Sequence, residues 1–248
     1  MTIVTESVNK LLWEARHKTA SNARDLLANA VSLFEQGITP VSCFLAMTCI
    51  EEVGKLLVFR MAQGFRLEGF PDEAEAPRVL NEQSLRNFAR NHLQKAIQAA
   101  AWSLYINAGA DRRQGVHPTS QMHRASGIIL LARSRRWMNL RNACLYTDLD
   151  IPSVKTTAPS DVISREHAYY FICMAFEILA EQSEAGFGIP FIETSSKHAH
   201  QFREDCLRDL RQFMERWSNS VDIDKLDFLA NPEVLQVEAE QIEARAKK

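Results

Sequence analysis

With 248 residues, 46% of them hydrophobic and 24% charged, the chain has enough apolar side chains for one well-covered core and too many for a disordered segment. Nine glycines and eight prolines exclude collagen-like and low-complexity sequence. A net charge of −2 supplies no global positive field, so any nucleic-acid contact has to be local.

The pattern is helical almost throughout. Residues 7–36 read as a long helix, with Leu11, Ala15, Ala23, Leu26, Leu27, Ala30 and Phe34 near helical spacing and Gly37 as its stop. Thr39 and Pro40, a capping hydroxyl followed by proline, restart a second helix over 40–63. The apolar run 38–50 inside it ends at Glu51 and Glu52, short of the roughly 20 residues that span a bilayer, so no membrane segment is expected. The stretch 64–80 is rich in Gly, Pro and acids and reads as a loop. A third helix is predicted over 82–107 and a fourth over 120–144, with an irregular segment over 145–160. Helices over 161–185 and 197–218 follow, and Asn231-Pro232 opens a short charged helix. No alternating β-branched run is present. The predicted fold is all-α: a bundle over 1–190 with additional C-terminal helices over 191–248 packed on it.

The start, MTIVTESVNK, lacks the basic and apolar regions of a secretory leader, and a cytoplasmic location is expected. The five cysteines form no CxxC pair and mostly lie in apolar pattern, as expected for buried free thiols in a reducing compartment.

Helix two is apolar nearly all round, the mark of a buried helix. At about 100° per residue, Phe44, Thr48, Glu51, Glu52, Lys55 and Phe59 share one narrow sector. That places an acid–base stripe inside the protein, as an internal ion pair between helices or as the lining of a site. On helix three, His92 falls on an alanine-rich face with Phe88, Ala96, Ala99, Ala100 and Ser103. It is a core histidine there or an imidazole tuned for acid–base work. Arg141, Tyr146 and Asp148 close helix four, where Arg133, Arg135 and Arg136 add a local basic concentration suited to phosphates or to solvent. The tryptophans and the Tyr169-Tyr170 pair fit core packing.

Together these segments resemble the AbiV family of abortive-infection proteins, within the HEPN superfamily. The motifs are CFLAMTCIEEVGK, with Glu51, Glu52, Gly54 and Lys55; FARNHLQK, with Phe88, His92 and Lys95; and RNACLYTD, with Arg141, Leu145, Tyr146 and Asp148. The resemblance covers residues 10–190. Arg86, Asn87 and His92 also give R-N-x4-H, which satisfies the R-x(4–6)-H motif of HEPN ribonucleases. On a regular helix Arg86 and His92 stand about 120° apart. Arg86 then reaches around the helix, sits in a distorted turn, or meets the His92 of a second subunit.

The resemblance implies metal-independent RNA cleavage without a cofactor, at a homodimer interface. His92 would be general acid or base, Arg86 would stabilise the phosphorane, and Glu51, Glu52 and Lys55 would orient the histidine or contact RNA. Asn87, Lys95, Arg141, Tyr146 and Asp148 would bind RNA or support the site. It further implies a dormant toxin that stops translation when a phage-encoded activator switches it on. The competing reading is a non-catalytic HEPN-like module that binds a partner protein. A carboxylate-bridged metal bundle is disfavoured, since Glu14 and His17 form the only Glu-x-x-His pair.

Overall fold

The computed structural model describes residues 6–62, 87–114, 120–150, 155–181 and 196–246. Helices α1 (Glu6–Glu35) and α2 (Thr39–Ala62) form a hairpin. Its turn closes on Gly37, whose φ of 79° lies in the left-handed region open to glycine. Ile38 N–H donates to Leu33 O (2.9 Å) and Gly37 N–H to Phe34 O (3.0 Å), the paired bonds of a Schellman stop. The buried Ser42 hydroxyl donates to Ala30 O (2.7 Å) and ties the two helices below the turn.

The chain continues through α3 (His92–Gln114), α4 (Ser120–Arg133) and α5 (Arg136–Ala143). Three of the predicted helices are broken in the structure. Helix three does not run unbroken into His92: a helical turn over 87–90 ends at Asn91, and α3 begins afresh at His92. Asn91 Oδ1 accepts from Gln94 N–H (3.1 Å), so this asparagine caps the new helix. The predicted residues 82–86 lie outside those described. Helix four divides at Ser134-Arg135, where Arg135 takes a left-handed φ of 60°. Helix five divides into α6 (Pro159–Val162) and α7 (Arg165–Glu181), with His167 Nδ1 accepting from Ser164 N–H (3.2 Å) at the restart.

The structure also contains a small ribbon that the sequence pattern did not predict. Strands β1 (Asp148–Asp150) and β2 (Lys155–Thr157) pair antiparallel, Asp148 opposite Thr157. Strands of three residues are too short to show alternation. The rest of the described chain is helical or loop, and the fold is all-α in class.

The core is built around α2 and α7. Every residue of α7 from Ala168 to Ala180 is buried, and α2 buries Cys43, Met47, Ile50, Val53, Leu56 and Leu57. Helix α8 (Ser196–Trp217) lays Phe202, Cys206, Leu210 and Phe213 against the same core. Beyond it, α9 (Asp227–Ala230) and α10 (Pro232–Ala246) dock on α4. All five cysteines are free and buried. Among the described residues no helix is long and apolar enough to cross a membrane.

Where α2 crosses α3, Gly54 faces the backbone of Lys95. A Cβ on Gly54 would stand 1.9 Å from Lys95 O, so only glycine allows this approach. Gly54→Ala forces the two helices apart. Its expected cost is about 2–3 kcal/mol, measured by urea denaturation. Burial pushes the Cys43 and Cys49 thiols well up and that of Cys206 to about 12. These three thiols are expected to resist a thiol reagent at pH 8 in the native protein and to react once urea unfolds it.

Candidate functional site

Glu51 sits in the middle of α2, 1% exposed. Burial of a carboxyl group demands partners, and this one draws them from two other helices. His92 Nδ1 lies 2.6 Å from Glu51 Oε2, and Trp137 Nε1 donates to Oε1 at 3.0 Å. Lys95 Nζ stands 3.9 Å from Oε2. Arg141 Nε is 3.3 Å from Oε1, close enough to pair in charge but out of line for a hydrogen bond. The same guanidinium lies 4.8 Å from the centre of the Phe44 ring, which covers it from the α2 side.

The hydrogen bond to Glu51 orients His92. With Nδ1–H donating to the carboxylate, the neutral ring presents Nε2 as an acceptor on its other side. The side chain is 35% exposed, so part of the ring reaches solvent. The helix break at Asn91 makes the geometry possible. His92 occupies the first position of α3, one turn ahead of the Gly54–Lys95 contact that draws α2 in.

Next along α2, Glu52 accepts from Lys55 Nζ (2.8 Å) and from Asn22 Nδ2 of α1 (3.2 Å). Lys55 keeps 23% of its side chain exposed, whereas Lys95 keeps 6%. Lys95 is therefore an internal partner of the acids. Burial holds its ammonium below the ordinary lysine range; Glu51 and Glu52 oppose that shift, and Lys55 and Arg141 add to it.

The fold thus gathers Glu51, Glu52, Lys55, His92, Lys95 and Arg141 into one cluster. It does not bring Tyr146 and Asp148 there. Tyr146 is 65% exposed, and both line a separate cleft of about 750 Å³ with Asn139, Asn142, Thr157 and His167. Asn87 is exposed on the turn before the break, and Arg86 lies outside the described residues. Trp137 was read from the sequence as core packing. It is that, edge-on to Phe171 at 5.5 Å, but it also holds Glu51. Its place four residues before Arg141, on one helix face, was the available signal. Asn22 carried no signal at all, since its partner is set only by the α1–α2 packing.

The site's stability is unequal across its two acids. Glu51→Ala leaves Lys95 and Arg141 without their carboxylate and the Trp137 indole without an acceptor. Its expected cost is about 3–5 kcal/mol in urea denaturation. Glu52, whose partner Lys55 reaches solvent, should cost about 1 kcal/mol when replaced by Ala.

Among curated proteins and among solved structures, none matches the chain. A family model described as AbiV, of the HEPN type, matches residues 11–180, a stretch that contains every residue of this cluster. That match spans well over half of the sequence, and it agrees with the all-α fold: the chain belongs to the AbiV family of HEPN proteins.

Proposed function

We propose that the protein is a metal-independent endoribonuclease acting in abortive infection, dormant until a phage product triggers it, and that cleavage of RNA then stops translation. The observation that carries this reading is the Glu51–His92 pair: a buried carboxyl group fixing a partly exposed imidazole at the head of a helix through its Nδ1, which leaves the far ring nitrogen outside that bond. In this reading His92 Nε2 takes the proton of a ribose 2′-hydroxyl. The 2′-oxygen attacks the adjacent phosphorus, the P–O5′ bond breaks, and the departing 5′-oxygen of the next nucleotide takes a proton from solvent. The products are a 2′,3′-cyclic phosphate and a 5′-hydroxyl.

Positive groups aimed at the phosphorane would lower the barrier. Lys55, beside Glu52 and partly exposed, is placed to supply one, and Arg86 would supply another. Arg141, Lys95 and Trp137 act through Glu51 as positioning residues. A homodimer in cytoplasm, with the Arg86 of one subunit completing the His92 site of the other, belongs to the same proposal. So does the division of the chain into a family domain over 1–190 and a C-terminal helical extension over 191–248.

One observation favours the non-catalytic reading. Most of the cluster's charge is turned inward, as in a network that only holds helices together. Replacing His92 separates the two. In cells that express the protein and are infected with phage, His92→Ala is expected to abolish growth arrest and to lower RNA cleavage by about 10²–10⁴-fold at equal soluble level. Fragments carrying cyclic phosphate ends should be present with the wild type and missing with the variant. Arrest that survives the substitution with RNA intact would overturn the nuclease reading.

A further inference from the structure

Helix α10 lies outside the stretch that matches the family, yet its acids occupy arginines inside that stretch. Arg136 makes a two-pronged contact with Glu238, Nε to Oε2 at 2.8 Å and Nη2 to Oε1 at 2.6 Å. Its third nitrogen donates to Asp227 Oδ2 of α9 at 3.1 Å. Arg133 donates from Nε to Glu243 Oε1 at 2.9 Å. Between them Arg135 is exposed, in its left-handed conformation at the α4–α5 break. Little else holds α10: Leu235 and Ala239 are its only buried residues. Ion pairs this open to solvent are weak and screened by salt.

A guanidinium fork that fits a carboxylate also fits a phosphate. We propose that the corner formed by Arg133, Arg135 and Arg136 is a docking surface for the sugar-phosphate backbone of RNA, and that α10 covers it, Glu238 and Glu243 standing where phosphates would bind. The position favours RNA over an unrelated anion. Arg136 adjoins Trp137 and precedes Arg141 by five residues, a rise of about 7.5 Å along α5, and both of those residues reach Glu51. The corner and the Glu51 cluster thus share α5 as a common support. Release of α10 exposes the surface, which makes the C-terminal helix a gate on substrate. This rests on the RNA reading of the site.

The test uses the full chain carrying His92→Ala, so that binding is read without turnover. A labelled single-stranded RNA is titrated by fluorescence anisotropy over a range of salt. Adding Glu238→Gln and Glu243→Gln is expected to tighten binding about tenfold at low salt and to steepen the logarithmic salt slope by about 1.4, the value for two more phosphate contacts. Further addition of Arg133→Gln and Arg136→Gln is expected to remove the gain. Glu233→Gln with Glu240→Gln makes the same charge change on α10 at acids that pair with neither arginine, and should leave affinity as it was. Unchanged affinity in the first variant overturns the proposal. So does an equal gain in the matched control, a gain that survives loss of the arginines, or an equal gain for a polyglutamate peptide. Failure of the nuclease reading appears separately, as intact RNA with the His92 protein, and leaves these binding curves interpretable.

Discussion

A carboxyl group buried in the middle of a helix is the constraint around which this fold is arranged. Glu51 is enclosed by apolar neighbours on α2, and water does not reach it. Its oxygens must find donors within the protein, and each donor fixes an element. His92 and Lys95 fix the start of α3; Trp137 and Arg141 fix α5. An apolar residue of similar size could fill the same volume without partners, and buried ion clusters seldom raise stability over such a replacement. A charged centre with this many dependants is therefore better explained by what it positions than by what it stabilises.

Two interruptions in helical structure serve that centre. A continuous helix through Asn91 would carry His92 at mid-helix, with its ring pinned by the turns on either side. Ending the first turn at residue 90 and capping the next helix with Asn91 puts the imidazole at a helix head instead. A continuous helix through Ser134-Arg135 would likewise send 136–143 straight on from α4. The left-handed residue at 135 changes its course, at a conformational cost of about 1–2 kcal/mol, and brings one face of α5 onto Glu51. Gly54 supplies the third adjustment by letting the α3 backbone come close to α2.

Much of this was legible in the sequence, and the reason differs by feature. The acid–base stripe of α2 could be read because helical spacing alone collects Glu51, Glu52 and Lys55, and because α2 is apolar all round. The partnership of Glu51 with His92 could not, since it depends on how two helices cross. The breaks were hidden for another reason. Asn91 and Ser134 are ordinary in helices, and no Gly or Pro marks either position. Arg141 and Tyr146 belong to one motif in the sequence but part company in the fold, because the end of α5 falls between them and turns one inward and leaves the other in solvent. The basic concentration at 133–141 was visible as composition. Its division into an arginine facing Glu51 and arginines facing α10 was not, because the acids of α10 stand about a hundred residues further along the chain.

The charge balance of the cluster points the same way as its geometry. Among the described residues Glu51 and Glu52 are surrounded by Lys55, Lys95 and Arg141, two acids to three bases before His92 is considered. Lys95 registers its setting: burial pushes its ammonium below the usual range, Glu51 and Glu52 oppose that shift, and the smaller effects of Lys55 and Arg141 add to it. In the proposed reaction further negative charge arrives with the substrate, as the scissile phosphate, and is greatest in the phosphorane. Lys55, the cluster's partly exposed base, is then the one placed to meet that charge, while Lys95 keeps Glu51 in position beneath it.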